Sequence, residues 1–350
     1  MSIVIDTDIH TILNGNRVKD FLPEPWRTRY EGGSRGPGHL GYWNPSGVMR
    51  SDTRLEDGSR IEASPELLIE HFFEKYGIDY GIMNTGSMHI GLSPEPDFAA
   101  AVVQAEMQLV VEEWFPVSER IKSSITISPA DPALAVEQIH RFAGHDGFVQ
   151  VLMPSGARTP YGNRFFHPIY KAAAECGLPV AIHPGSEGVG TSGPPTAAGY
   201  PGSYFEWHTS LMSNYISHVS SLIIEGVFVK FPELRFVLVE GGISWLPALL
   251  WRMDKNWRAL RMTAPWLERP PSEYVTDHML LTTQPIEEPP NSKHLHQILE
   301  MFDAENMLMF SSDFPHWDGD APDFTARWMP ETIKEKVMGR TASEVYGIEF

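Results

Sequence analysis

The feature that most constrains the fold is a regular alternation of short apolar runs with longer amphipathic segments. Apolar runs bounded by turn residues are typical of β-strands. Eight such runs occur, at 3–5, 80–83, 121–127, 148–152, 180–182, 236–239, 280–283 and 307–310. Several of them lack polar alternation, which indicates parallel strands that are covered on both faces.

Helix-period segments separate most of these runs. The segment "SPELLIEHFFEKYG" begins with a capping serine and a proline, and it ends at Gly77. The segments "ADPALAVEQIHRFAGH", "HPIYKAAAECG" and "MSNYISHVSSLIIEGVFVKFP" repeat this pattern. Eight strands alternating with helices predict an α/β fold, a (β/α)8 TIM barrel that forms one domain over 1–350. A doubly wound open sheet is the alternative, but no glycine-rich phosphate loop follows the first strand.

Two segments are too long for the connections of a minimal barrel. Residues 17–63 are rich in glycine, proline, tryptophan and arginine, and they predict an insertion after the first strand. Residues 184–207, rich in glycine, proline and serine, predict a long functional loop after the fifth strand. Both are expected at the C-terminal face of the barrel, where enzymes of this fold hold their chemistry.

Composition excludes several classes of protein. A formal charge of -18 leaves no basic surface for a nucleic-acid partner. No apolar run reaches the ~18 residues of a membrane span. Cys176 is the single cysteine, which excludes an intramolecular disulfide and a cysteine-based zinc site. The N-terminus shows no secretory signal, so we expect a cytoplasmic protein with a small-molecule substrate.

The stretch "VIDTDIH" places Asp6, Asp8 and His10 at alternate positions after an apolar run. Alternate residues of a strand point to the same face. Buried polar groups cost several kcal/mol unless a partner satisfies them. We therefore expect a ligand at this face, with Asp6 lying deeper and orienting one of the ligating residues.

Further ionisable residues follow three other predicted strands. His183 lies in "PVAIHPG", Glu240 in "FVLVEGG", and Asp313 in "LMFSSDFPH", with His316 three residues later. The ends of barrel strands converge on one mouth, so these groups predict a site for one or two divalent cations. Imidazole and carboxylate donors favour zinc, with iron or manganese as alternatives. The expected metal ligands are Asp8, His10, His183, Asp313 and Glu240.

The sequence resembles the amidohydrolase superfamily, specifically the amidohydrolase-2 branch that includes aminocarboxymuconate-semialdehyde, resorcylate and carboxyvanillate decarboxylases. The resemblance spans nearly the whole chain. It is carried by "IDTDIH", "FHPIYKAAAECGLPVAIHPG", "GVFVKFPELRFVLVEGGISWLPALLWRMD", "MFSSDFPHWDGD" and "MGRTASEVYGIEF". It implies a distorted barrel and a divalent metal, with Asp8, His10, His183 and Asp313 at the branch's ligand positions. The branch also makes a homodimer the expected assembly.

One departure from this branch bears on function. Its decarboxylases tend to carry a histidine at the end of strand six, where this chain has Glu240. A carboxylate there could bind a second metal or act as general base on metal-bound water. The leading hypothesis is therefore a metal-dependent hydrolase that cleaves an amide, ester or thioester, with Asp313 or Glu240 taking the proton. Non-oxidative decarboxylation of an aromatic or unsaturated acid is the alternative, and a non-catalytic binding barrel is the third possibility.

Several residues are candidates for contact with the substrate. His316 is expected to contact the substrate or to position a ligand, and His208 to reach the mouth from the long loop. Arg158 and Arg164 are candidate clamps for a carboxylate. Aromatic side chains in the irregular segments predict an apolar pocket roof for a hydrophobic or ring-bearing substrate; these are Trp43, Tyr204 and Trp207.

Overall fold

Eight parallel strands follow one another in chain order in the computed structural model, which describes residues 3–33, 40–43, 45, 50–85 and 87–349. They are β1 (Ile5–Thr11), β2 (Tyr80–Thr85), β3 (Ile121–Thr126), β4 (Phe148–Pro154), β5 (Val180–His183), β6 (Phe236–Leu238), β7 (Met279–Thr282) and β8 (Leu308–Met309). The chain after β8 then pairs with β1. The amide of Thr7 donates to the carbonyl of Phe310 at 3.0 Å, and that of His10 to Phe314 at 2.7 Å. This closure confirms the predicted (β/α)8 barrel.

Helices surround the barrel. The longer ones are Pro96–Leu109, Pro132–Phe142, His167–Glu175, Met212–Ile224, Leu246–Leu260, Pro271–His278 and Ser292–Leu299. Shorter helical segments are Gly15–Val18, Lys19–Phe21, Trp26–Glu31, Ser51–Thr53, Ile61–Ala63, Pro65–Leu68, Ile69–Phe73, Glu74–Tyr76, Met88–Leu92, Val110–Trp114, Arg164–Phe166, Tyr204–Thr209, Val227–Lys230, Arg261–Thr263, Ala304–Met307, Pro322–Trp328, Lys336–Arg340 and Thr341–Tyr346. Among the described residues, no helix has both the length and the apolar character that crossing a membrane requires.

The helix signals in the sequence have the expected structural counterparts. The hydroxyl of Ser64 accepts a hydrogen bond from the amide of Leu67, and Gly77 ends that helical stretch with a φ of 65°. The segment predicted at 212–232 is not one helix. Gly226 adopts a φ of 73° and divides it into Met212–Ile224 and Val227–Lys230, because a left-handed residue cannot continue a right-handed helix.

The first strand extends beyond the apolar run that begins it, as the alternation of Asp6, Asp8 and His10 predicts. The predicted run ends at residue 5, whereas β1 continues to Thr11 and contains the acidic residues and His10. Every residue of β1 is buried. The pairing of β1 with β2 shifts register between Asp6 and Ile9, which is the signature of a bulge. Polar residues can occupy this strand because neighbouring strands supply hydrogen-bond partners for them.

The barrel interior divides into an apolar and a polar side. The apolar side is built from β4 to β8 and includes Leu152, Ala181, Val237, Leu280 and Met309. The polar side lies along β1 to β4 and includes the fully buried Asn84, Ser124 and Gln150. The C-terminal helix Thr341–Tyr346 covers the N-terminal end of the barrel, where Ala342 joins the same apolar cluster as Ile3 and Ile5.

The two long segments contain more helix than the sequence predicts. Short helices occupy much of 17–63, while its residues 34–39, 44 and 46–49 lie outside the described part of the chain. The loop after β5 is irregular up to Ser203, and the helix Tyr204–Thr209 takes up the end of the predicted 184–207.

Candidate metal centre

The predicted ligands come from strand ends on different sides of the barrel. Asp8 and His10 project from β1, His183 is the last residue of β5, and Glu240 and Asp313 lie in the turns after β6 and β8. In the described segments, Glu240 and Asp313 are the only non-glycine residues with positive φ, at 57° and 54°. This conformation costs about 1–2 kcal/mol in an L-residue and is found preferentially at functional sites.

Hydrogen bonds hold both of these turns in place. The amide of Glu240 donates to Oγ1 of Thr282 at 2.9 Å, and the amide of Asp313 donates to the carbonyl of Asp8 at 3.1 Å. The second bond connects the turn after β8 directly to β1. The two strained residues are therefore held by neighbouring strands, one of which carries Asp8 and His10.

The side chains converge on a small volume. Nε2 of His183 lies 3.1 Å from Nε2 of His10, 3.4 Å from Oδ2 of Asp8 and 3.3 Å from Oε2 of Glu240. Nε2 of His10 lies 3.0 Å from Oδ1 of Asp313. Two ligands about 2.1 Å from one ion, separated by about 90–110°, lie about 3.0–3.4 Å from each other. These separations therefore fit donors arranged around a shared cation.

Two overlapping groups of four donors result. In each group the ligand atoms lie within 4.8 Å of one another; the groups are Asp8, His10, His183 and Glu240, and His10, Glu240, Asp313 and His316. Among the described residues, Oδ2 of Asp8 and Oδ2 of Asp313 are buried without a hydrogen-bond partner. Buried carboxylate oxygens without partners are costly, and a cation would satisfy them. The mixture of imidazole and carboxylate donors fits a divalent transition metal.

Surrounding groups orient the donors. Nδ1 of His183 lies 2.8 Å from the carbonyl of Pro184, so it carries the proton and leaves the Nε2 lone pair free for a metal. Asp6 is fully buried, and its Oδ1 accepts from the amides of Ser312 at 2.9 Å and Asp8 at 3.2 Å. Burial raises the pKa of Asp6 to about 7. Asp6 thus lies behind Asp8, and its role in orienting that ligand stays a prediction.

Burial and charge shape the electrostatics of the cluster. Burial raises the pKa of Glu240 well above its ordinary value, and the charges of Asp313 and Asp8 add to this effect. Burial also opposes ionisation of Asp313, but the charge of His316 and hydrogen bonds from both His10 and His316 outweigh it and lower the pKa of Asp313. Oδ1 of Asp313 lies 2.6 Å from Nδ1 of His316, and this contact raises the pKa of His316 to about 9 against the effect of burial. This concentration of carboxylates favours a bound cation.

A cavity of about 340 Å³ opens onto the cluster. Its lining residues are His10, Leu40, Gly41, Tyr42, Met88, His89, His183, Pro184, Gly185, Ser186, Glu187, Val189, Tyr204, Trp207, Glu240, His316 and Asp318. The carboxyl groups in this lining are Glu187, Glu240 and Asp318. Within the described part of the chain, no lysine or arginine lines the cavity.

The structure brings some of the predicted substrate residues to this cavity. Tyr204, Trp207 and His316 line it. Nε2 of His208 lies 3.3 Å from Oδ2 of Asp318 and 4.0 Å from Oε1 of Glu240, so His208 stands next to the cavity wall.

Other predicted substrate residues do not reach the cavity. Arg158 and Arg164 are exposed and lie outside the lining, because the chain after β4 carries them to the surface. The prediction of an arginine clamp is therefore not supported. Trp43 is 70% exposed and also lies outside the lining.

Asp318 and Glu187 line the cavity as well, although no motif in the sequence marked either of them. Asp318 lies in the quoted "HWDGD", two residues after His316, and Glu187 follows His183 by four residues. Proximity to a predicted ligand was the available signal for both. Asn84, which donates a hydrogen bond to Asp8, carried no such signal. An asparagine after an apolar run usually marks a turn rather than a site.

Comparisons with known proteins agree with the resemblance in the sequence. The sequence profile of the amidohydrolase family (Amidohydro_2) matches residues 5–348. A comparison with curated protein sequences finds no match.

Several solved structures share the fold over nearly their full length. One is a 5-carboxyvanillate decarboxylase from Novosphingobium aromaticivorans DSM 12444, complexed with manganese and 4-hydroxy-3-methoxy-5-nitrobenzoic acid (18% identity, TM-score 0.72, 99% of this chain and 96% of that chain). Another is a dihydroxybenzoic acid decarboxylase from Polaromonas sp. JS666 with bound manganese and the inhibitor 2-nitroresorcinol (16%, 0.69, 99% and 97%). A third is an amidohydrolase from Mycobacterium avium subsp. paratuberculosis K-10 (19%, 0.73, 99% and 98%).

Proposed function

The chain belongs to the amidohydrolase family, and from this premise we propose that it is a metal-dependent decarboxylase of an aromatic or unsaturated carboxylic acid. The observation that carries the proposal is the cluster of buried imidazole and carboxylate donors facing a cavity of about 340 Å³. That volume lies at the lower end of the range for small-molecule sites and suits a single substituted ring. The decarboxylases among the structural neighbours favour this reaction over the hydrolysis that the sequence led us to expect.

The metal in this proposal is manganese rather than zinc. Manganese is bound in two of the neighbouring decarboxylases, and the donor set of this chain suits it. Asp8, His10 and His183 would hold the ion, and the carboxylates of Asp313 beside His10 and of Glu240 beside His183 would complete its ligand set. When bound, the ion supplies the positive charge that holds the carboxylate of the substrate.

Decarboxylation requires one proton to be delivered to carbon. The bond between the ring and the carboxylate breaks, carbon dioxide leaves, and the electron pair that remains on the ring carbon takes up a proton. Glu240 and His316 are the candidate donors, because both line the cavity and both lie beside the metal ligands. Glu240 occupies the position where decarboxylases of the resembled branch tend to carry a histidine.

The cavity wall also indicates which acids are accepted. Tyr204, Trp207 and Met88 offer apolar surface for a ring. Glu187 and Asp318 would repel a second carboxylate on the substrate, and the described lining offers no lysine or arginine to hold it. We therefore expect monocarboxylic acids to be preferred over dicarboxylic acids.

Hydrolysis of an acyl bond is the second candidate function, and Glu240 is the observation that favours it. A buried carboxylate beside a metal can take the proton of an attacking water molecule and pass it to the leaving group. This role needs an acceptor that cycles between its two protonation states, which a carboxylate can supply.

The two reactions are separated by what they release. Metal-stripped protein is reloaded with Mn²⁺ and incubated with a panel of hydroxybenzoic acids, and carbon dioxide is measured. The same preparation is incubated with pooled thioesters, esters and amides, and released thiol or acid is measured. We expect carbon dioxide from at least one monocarboxylic acid and no acyl cleavage. Acyl cleavage without decarboxylation would contradict the proposal and establish the hydrolase.

A further inference from the structure

A continuous chain of hydrogen bonds runs through the polar side of the barrel interior. The hydroxyl of Tyr346 donates to Oε1 of Gln150 at 2.8 Å, and Nε2 of Gln150 donates to Oγ of Ser124 at 2.9 Å. The hydroxyl of Ser124 donates to Oδ1 of Asn84 at 2.5 Å, and Nδ2 of Asn84 donates to Oδ1 of Asp8 at 2.8 Å. Asn84, Ser124 and Gln150 are all fully buried.

The direction of every bond in this chain follows from its last acceptor. An ionised Asp8 can only accept, so Asn84 must present its NH2 group to Asp8 and its carbonyl oxygen to Ser124. The single hydroxyl proton of Ser124 is then committed to Asn84, and its oxygen must accept from Gln150. The carbonyl oxygen of Gln150 is left to accept from Tyr346. All four donors therefore point towards the carboxylate.

We propose that Asn84, Ser124, Gln150 and Tyr346 are positioning residues for the metal ligand Asp8. This series of hydrogen bonds ties Oδ1 of Asp8 to Asn84 on β2. Oδ2 of Asp8 has no hydrogen-bond partner among the described residues and is left to face the metal cluster. Partners behind a metal ligand orient it and tune its affinity, and hydrogen bonds in series strengthen one another. This inference rests on the metal site of the proposed function.

This series of hydrogen bonds links the metal centre to a distant part of the fold. Tyr346 belongs to the C-terminal helix Thr341–Tyr346 at the opposite end of the barrel, and it is 196 residues from Gln150 in the sequence. A substitution that touches neither the cavity nor any predicted ligand should therefore change the affinity for the metal. A purely local role for Tyr346 in packing its own helix predicts no such change.

The test is a titration of metal-free protein with Mn²⁺ in competition with a fluorescent chelator. Asn84→Leu and Gln150→Met should raise the Kd for Mn²⁺ by about 10- to 100-fold. Tyr346→Phe, which removes one terminal donor, should raise it by about threefold or more. In the Asn84→Leu background, Tyr346→Phe should have no further effect, because the chain is already cut next to Asp8.

Tyr170→Phe is the matched control. Tyr170 is fully buried, and its hydroxyl donates to the carbonyl of Tyr161 at 2.5 Å. The variant therefore loses a comparable hydrogen bond that does not belong to the series from Tyr346 to Asp8. We expect it to bind Mn²⁺ like the parent, and thermal unfolding of the metal-free proteins establishes that each variant folds. Unchanged Mn²⁺ affinity in Tyr346→Phe and Gln150→Met would overturn this inference but not the proposed function. The same would follow if Tyr346→Phe lowered the Mn²⁺ affinity equally with and without Asn84→Leu. A parent protein that binds no Mn²⁺ would overturn the proposed function and the inference together.

Discussion

The Nε2 atoms of His10 and His183 lie 3.1 Å apart, although 173 residues separate the two histidines in the sequence. Their rings meet nearly edge-on, with centroids 4.8 Å apart and planes at 79°. β1 and β5 stand on opposite sides of an eight-stranded barrel, so the two side chains meet near its axis. Two imidazole nitrogens at this separation require a proton or a cation between them. This pair therefore marks the centre of the proposed metal site.

The first prediction concerns metal binding by this pair. His183→Asn should abolish Mn²⁺ binding, because it removes an imidazole donor whose other nitrogen is already fixed by Pro184. For the parent, Mn²⁺ at about 100 times its Kd should add about 2.7 kcal/mol to the free energy of unfolding. Chemical unfolding with and without Mn²⁺ measures this gain, which His183→Asn should lose.

A matched control for that experiment is His278→Asn. His278 is also buried, but its Nδ1 bonds to the carbonyl of Leu234, away from the cluster. This variant should lose intrinsic stability and keep the full gain from Mn²⁺. An equal gain in His183→Asn and in the parent would show that the ion binds elsewhere.

The second prediction separates the roles of Glu240. Glu240→Gln keeps an oxygen donor beside the metal ligands but cannot hold a transferable proton, so kcat should fall by about 10²- to 10⁴-fold while the metal content stays unchanged. Glu240→His should retain decarboxylation, because imidazole can deliver the same proton. The measurement is kcat for carbon dioxide release together with elemental analysis. Full activity in Glu240→Gln would exclude Glu240 as the donor and leave His316.

The third prediction concerns the turn that holds Glu240. Gly242 has a φ of 68°, and an added Cβ would lie 2.8 Å from Oε1 of Glu287. That oxygen cannot move away freely, since it accepts hydrogen bonds from the amide of Ser244 at 3.1 Å and its hydroxyl at 2.7 Å. Gly242→Ala should therefore lower the free energy of unfolding through both backbone strain and a steric contact.

Gly77→Ala isolates the strain in this comparison. Gly77 has a similar φ of 65°, but a methyl group added there would meet nothing within 4 Å. We expect Gly77→Ala to cost about 1 kcal/mol and Gly242→Ala at least about 1 kcal/mol more. Urea unfolding measures both. Equal costs would mean that Glu287 yields to the new methyl group.

The fourth prediction is a pH dependence that arises from a buried carboxyl group outside the metal cluster. Glu106 is 4% exposed, and burial raises its pKa to about 7, although a hydrogen bond from Ser87 works against this. Between pH 4.5 and 7 the folded protein thus holds a proton at Glu106 that the unfolded chain has released. The free energy of unfolding must fall as the pH rises through this window, by on the order of 3 kcal/mol from this group.

Glu106→Gln mimics the protonated carboxyl and removes this titration. The variant should match the parent near pH 4.5 and exceed its stability at pH 8. Urea unfolding of the metal-free proteins at both pH values measures the difference. A constant difference across the window would contradict the raised pKa of Glu106.

The sequence was sufficient for the elements and for the identity of the clustered side chains. Apolar periodicity is a local property, and it located all eight strands to within a few residues, apart from the extent of β1. The positions of His183, Glu240 and Asp313 within three residues of the ends of apolar runs were enough to place them at one mouth, because a barrel brings the ends of its strands together. For β1 the apolar run covers only the beginning of the strand, and the alternation of Asp6, Asp8 and His10 indicated the rest.

The sequence by itself therefore determined the barrel and the ionisable residues at its rim, through patterns that each segment carries alone. Only the tertiary structure decided that the arginines after β4 lie away from the cavity, that acidic groups line it, and that Tyr346 connects to Asp8. The physical reason is that a hydrogen-bond partner is set by the register of neighbouring strands. Register depends on closing the whole barrel, and no segment of the chain encodes it alone.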